Sequence, residues 1–275
     1  MELIYDIGMY NGDDTALYLN QGYRVIAVDG SKDLIESARC RFSDEIRSGA
    51  LTLINAVITE ETGPSALWVC DEFPMWNSCN RSIASRANSR HHRVLVPGIR
   101  FRDILQQYGV PHYLKIDIEG NDYLCLMDIT QREAPLYISV ESECCGGDEH
   151  LSESEFLRTL LLLREAGYTQ FKLIDQQTLA SITSDDKCSR RWWPEHSCER
   201  RQLEERFNHL FPVGCTGPWG NSASGPWMGF QEAADIYRRW RQAFFEMCRR
   251  TPYAFWCDWH ATYLRPGRTE EWSHE

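Results

Sequence analysis

Lys115, Asp117 and Glu119 stand in the segment YLKIDIEGNDYLCLMDI, residues 113–129, where a buried-looking strand runs into a helix. Charge in a sheet core is costly unless it is paired or used. If the strand continues far enough, alternation puts all three side chains on one face. Glu141 and Glu143 close the next apolar run, LYISVESE. Carboxylates converging there could take a proton from a nucleophile, orient it, or hold a hard cation through oxygen. Asp117 is the first candidate base, Glu141 the second, and Glu119 belongs to the same cluster. The plainer alternative pairs Lys115 with Asp117 or Glu119 as a structural ion pair. His260, two residues after Asp258 in WCDWHAT, is a further candidate base, set against the commoner role of a core histidine.

A second group lies near the start. DIGMYNGDDT places Gly8 and Gly12 between a strand and a helix, where backbone can approach a ligand and helix N–H groups are free. The spacing differs from the G-x-G-x-x-G of dinucleotide binders, and a tight turn without a ligand is the alternative. Asp29 ends RVIAVD, 17 residues after Gly12, and Gly30 and Ser31 leave room beside it. In doubly wound folds an acid at that place accepts hydrogen bonds from ribose hydroxyls, which points to an adenosine-containing cofactor.

These residues need a scaffold. Residues 1–58 read strand-helix-strand-helix-strand, an α/β alternation that implies a parallel sheet with helices on both faces. LTLINAVI is read as one strand and SKDLIESARCRFSDEI as one helix. Residues 59–98 are less regular. The alternation resumes through HYLKIDI, LYISVES and YTQFKLID, then breaks near 176. Residues 1–175 are read as a ligand-binding domain. Residues 176–275 are read as an irregular and helical extension packed on it, covering the site.

The length of 275 residues, with 43% apolar and 25% charged, allows a large core. A net charge of −11 argues against nucleic-acid binding, and no apolar run is long enough to span a membrane. Arginines at 81, 86, 90, 93, 100 and 102 form either a solvated loop or a receptor for an acidic substrate group. Eleven cysteines without a leader or a CxxC pair fit a reducing cytoplasm. A zinc site from Cys188, His196, Cys198 and Cys215 lacks ligand-pair spacing. The tail RPGRTEEWSHE has no apolar period. A homo-oligomer is left open.

DIGMYNGDDT, VIAVDGS, INAVI and LKIDIEGND, in that order, resemble the FkbM family of S-adenosylmethionine-dependent methyltransferases over about residues 3–141. The resemblance implies a Rossmann-like, seven-stranded, mostly parallel methyltransferase sheet whose antiparallel last strand comes from the extension. By the same resemblance Asp6, Gly8, Asn11 and Gly12 surround the methionine part of S-adenosyl-L-methionine. Asp29, with Gly30 and Ser31 beside it, holds the ribose, and Asn55 and Ala56 lie near the adenine. The implied activity is O-methylation of a hydroxyl on a small-molecule acceptor or natural product. The alternatives are N- or carboxyl-methylation, a non-catalytic cofactor-binding module, and a nucleotide-dependent oxidoreductase. Mg²⁺ on the carboxylates is the lesser reading, and no residue is assigned to a metal.

Overall fold

A computed structural model describes residues 1–143, 150–183, 197–248 and 256–263, with side chains for all but 243–248. Cys144, Cys145, Cys188, Trp192, Trp193, His196 and the tail lie outside the described residues.

The order begins β1 (Leu3–Ile7), α1 (Asp13–Asn20), β2 (Arg24–Asp29), α2 (Lys32–Arg41), α3 (Ser43–Ser48) and β3 (Leu51–Asn55). Then follow β4 (Val57–Ile58), β5 (Gly63–Cys70), α4 (Arg81–Ala84), β6 (His91–Ile99), α5 (Phe101–Tyr108) and β7 (Tyr113–Ile116). The order continues with α6 (Asp122–Asp128), β8 (Tyr137–Glu141), α7 (Glu153–Phe156), α8 (Arg158–Glu165) and β9 (Gln170–Asp175). Residues beyond 175 supply α9 (Cys198–Phe207), α10 (Phe230–Cys248) and β10 (Cys257–Thr262).

Seven strands form one mostly parallel sheet in the order β3-β2-β1-β7-β8-β10-β9. β10 inserts antiparallel between β8 and β9, so the extension is part of the sheet itself. β1 and β2 read as continuous apolar runs because both their faces are covered. One face carries Tyr5, Ile7, Leu114, Val140, Leu173 and Trp259. The other carries Ile4, Val25, Ala27 and Tyr113, against Leu17, Tyr18 and Trp219. Trp219 stacks on Tyr113 at 4.6 Å, an aromatic pair that helps fasten the extension down.

Two elements divide where one was predicted. The helix over 31–46 breaks at Phe42, whose ring is buried, giving α2 and α3. LTLINAVI splits after Asn55: β3 stays in the main sheet, and β4 joins a second sheet, β4-β6-β5. β6, absent from the sequence reading, is largely solvent-facing. Its arginine and histidines therefore masked it as loop.

The second face also holds a buried polar row. Register pairs Asp6 with Lys115, Lys115 with Ser139, Ser139 with His260, and His260 with Lys172. All five are at most 4% exposed. The row lies directly beneath the carboxyl ends of β1 and β7.

Candidate active site

In an open α/β sheet, ligands sit beyond the carboxyl ends of the strands. Here a cavity of about 320 Å³ opens at that edge, with Gly8, Asp29, Ala56, Asp117, Glu119 and Glu141 in its wall. It runs from the turn after β1 to the ends of β7 and β8.

The turn is held close to β7. Gly8 has φ +88°, and a Cβ there would lie 1.7 Å from the Asp117 carbonyl oxygen. Only glycine fits both the conformation and the approach. Lys115 Nζ donates to the Gly8 carbonyl at 2.8 Å and to Asp6 Oδ1 at 3.0 Å. Asp14 Oδ2 stands 3.8 Å from the same ammonium. Burial alone would pull the Lys115 ammonium down, but Asp6, Asp117 and Asp14 outweigh it and hold it above its usual range. Asp14 also accepts the backbone N–H groups of Thr216 and Gly217, both at 3.1 Å. The first helix of the domain is thereby tied to the extension.

Asp29 ends β2 with its carboxylate directed by two backbone donors. Tyr10 N–H donates to Oδ2 at 2.9 Å and Ser31 N–H to Oδ1 at 2.7 Å. Burial raises its pKa to about 6, against the lowering effect of those donors. Each oxygen keeps lone-pair capacity for one further donor. Asn55 Nδ2 donates to the Asp29 and Gly30 carbonyls, at 3.0 and 3.1 Å. Leu34, Val57, Ile58 and Leu67 add an apolar wall.

At the other end, oxygens of Asp117, Glu119 and Glu141 all lie within 4.8 Å of one another. β7 stops at Ile116, so alternation does not bring Glu119 there. Glu119 instead turns left-handed, φ +53°. Its carbonyl accepts from Ser78 Oγ at 2.6 Å, and its carboxylate pairs with Arg86 at 3.0 Å. Asp122 at the start of α6 accepts from Ile118 N–H and Gly120 N–H, fixing the turn. Burial pushes Asp117 up to about 6, and Glu119 up to about 8 in spite of Arg86. Among the described residues, the Asp117 side chain accepts no direct hydrogen bond. A carboxylate titrating near neutrality and facing a cavity is suited to proton transfer.

Several expectations change. Lys115 pairs with Asp6, its register partner on β1, and not with Asp117 or Glu119. Four of the six arginines are taken by acids, Arg86 by Glu119, Arg90 by Glu72, Arg100 by Asp103 and Arg102 by Asp128, and none of the six lines the cavity. Gly8, Asn11, Asp29, Gly30 and Ala56 line the cavity. Asp6, Gly12, Ser31 and Asn55 stand outside the lining and shape what lies in front of them. Gly12 packs against Phe42, and Asp6 accepts from Thr15 and Lys115. Sequence reasoning missed Trp76, Gln176 and Cys215 in the wall. Trp256, one of the tryptophans whose density beyond 190 suggests either a pocket lining or packing of the extension, does stand in the wall.

His260 is displaced from the candidate list. It is 1% exposed, lies outside the cavity wall, and neither ring nitrogen finds a hydrogen-bond partner among the described residues. Its expected orienter, Asp258, accepts from Gln176 instead. Burial, with help from Lys172, lowers the His260 pKa to about 3. The unfolded chain binds this proton below pH 6.5 and the folded one only near pH 3, so stability is lost as pH falls through that window. His260→Leu should therefore gain stability relative to wild type by about 1.4 kcal/mol per pH unit between pH 6 and 4. Urea unfolding at several pH values measures this, and a pH-independent difference would refute it.

A family profile described as the methyltransferase FkbM domain matches residues 6–169. A search of curated proteins finds no match. Among solved structures, the chain is similar to methyltransferase FkbM from Methylobacillus flagellatus KT, at 17% identity and TM-score 0.41. That likeness covers 62% of this chain and 39% of the other. Phosphoethanolamine N-methyltransferase 2 from Haemonchus contortus shares 12% identity at TM-score 0.38, covering 96% of this chain and 49% of that one. A methyltransferase from Thiobacillus denitrificans, solved with S-adenosyl-L-homocysteine, shares 11% at TM-score 0.36, covering 96% and 85%. The chain thus spans less than half the length of the first two proteins. With the profile matched over more than half of its residues, the chain belongs to the FkbM methyltransferase domain family.

Proposed function

We propose that this chain binds S-adenosyl-L-methionine and transfers its methyl group to a hydroxyl of a small molecule. One observation carries the reading: a single cavity joins the Gly8 turn and Asp29 to the carboxylates of Asp117, Glu119 and Glu141. The cofactor fits the residues present. Asp29 retains one acceptor position on each oxygen, which matches two adjacent ribose hydroxyls. Val57, Ile58 and Leu67 offer an apolar face for a purine. Bound there, the cofactor would supply an electrophilic methyl on a sulfonium.

The residues at the far end then act on the acceptor. Asp117 accepts the hydroxyl proton, and Glu119, held by Arg86 and Ser78, orients the oxygen. N-methylation needs the same positioning but less of a base.

The test is transfer of tritium from methyl-labelled S-adenosylmethionine to a panel of hydroxylated aglycones. Asp117→Asn should slow transfer by roughly 10²–10⁴ while the variant still binds S-adenosylhomocysteine. Wild-type transfer should rise with pH through about 6, as Asp117 ionises. An Asp117→Asn enzyme as fast as wild type would sink the base assignment. The convergence of three carboxylates also suits Mg²⁺. Under the base reading EDTA leaves the rate unchanged, and under the metal reading EDTA abolishes it.

A further inference from the structure

Two loops of different origin border the cavity. One follows β5 and carries Phe73, Met75 and Trp76, and the other follows α9 and carries Leu210 and Val213. Met75 and Val213 line the cavity yet are 47% and 54% exposed. Phe73, 41% exposed, packs its ring 4.4 Å from that of Trp76, itself part of the wall. Isolated exposed apolar side chains are ordinary. Here, though, four of the eight large exposed apolar residues among those described, Phe73, Met75, Leu210 and Val213, fall on these two loops. Apolar exposure gathered around a concave site marks a ligand surface.

Volume and charge narrow the ligand. About 320 Å³ is at the low end for one bound small molecule, so a cofactor and an acceptor together must reach the mouth. The inner end is carboxylate. Among the described residues the one basic group in the wall, Lys115, is bound to Asp6 and the Gly8 carbonyl. An anionic head therefore finds no free cation among the described wall residues. A bilayer is a poor host for this mouth as well, because a protein of net charge −11 is repelled by anionic lipid.

We infer that the acceptor is a freely dissolved amphiphile: an uncharged hydroxyl-bearing head reaches Asp117, and an apolar body lies between Met75 and Val213. This rests on the methyl-transfer reading of the same cavity.

The experiment uses the full chain loaded with S-adenosylhomocysteine, titrated calorimetrically with methyl, butyl and hexyl β-glucosides below their aggregation limits. Affinity should rise about fourfold per added methylene in the wild type. Met75→Asp and Val213→Asp, each loaded in the same way, should flatten that dependence. A flat wild-type series overturns the inference, as does a slope that survives both substitutions. Sedimentation with phosphatidylcholine vesicles supplies the remaining arm. Vesicle binding that both substitutions remove would assign the mouth to a bilayer and overturn the inference. If the wild type does not bind S-adenosylhomocysteine, the failure lies with the cofactor reading, and the two failures are told apart before any glucoside is added.

Discussion

Lys115→Met should destabilise the fold by about 3–5 kcal/mol, the usual cost of removing one partner from a buried ion pair. Asp6 is 0% exposed and Asp14 is 7% exposed, and both face the ammonium that the substitution deletes. Asp6 would keep Thr15 as a donor, and Asp14 would keep the Thr216 and Gly217 amides. Among the described residues neither carboxylate would keep an ion-pair partner. The pH dependence gives the sharper check. Burial already pushes Asp14 up to about 6, with Lys115 opposing that rise. Without the lysine it goes higher. A raised carboxyl pKa contributes stability that is lost as pH rises towards the folded value. The penalty of Lys115→Met should therefore be smaller at pH 5 than at pH 7.5. Urea midpoints at the two pH values measure it, and a companion Asp6→Leu should recover part of the loss. An equal penalty at both pH values would mean that packing, and not unpaired charge, sets the cost. Because Lys115 also holds the Gly8 carbonyl, the same variant should loosen the turn beneath the proposed cofactor.

That pair shows where sequence reading stops. The strands β1 and β2, the acid at the end of β2 and the glycine turn are legible because each is a local pattern: a continuous apolar run, a charge where the run ends, and small residues after it. Lys115 looked for its counterion among its chain neighbours Asp117 and Glu119. Parallel register supplied Asp6, 109 residues away. The same holds for Asp14, whose amide donors at Thr216 and Gly217 lie more than 200 residues along the chain. Glu119 was assigned by strand alternation, but the strand ends three residues earlier, and a left-handed turn clamped by Ser78 and Arg86 delivers it. That clamp in turn makes Arg86 a counter-charge to Glu119. His260 failed for the opposite reason. Its place two residues after Asp258 suggested an oriented base, yet strand register buries it between β8 and β9.

Asp29 supports the second large expectation. Asp29→Ala should weaken S-adenosylhomocysteine binding by roughly a hundredfold or more, as two hydrogen bonds to a charged acceptor contribute about 1.5–3 kcal/mol each. Alanine alone would not isolate the ligand's share, because the carboxylate also accepts from Tyr10 and Ser31 and so shapes the loop. Asp29→Asn separates the two. The amide keeps one acceptor oxygen and replaces the other with a donor, so it should bind at an intermediate level. pH distinguishes them further. With the wild-type group raised to about 6 by burial, the acceptor form is depleted below that value. Wild-type affinity should then fall by about tenfold per pH unit below 6. In Asp29→Asn, which has nothing to titrate at this position, it should not. Calorimetry at pH 5 and 7.5 on the three proteins decides it. If Asp29→Ala bound like wild type at both pH values, the acid at the end of β2 would not be the ribose acceptor. The cofactor reading would then have to rest on the glycine turn alone, which is too common a structure to carry it.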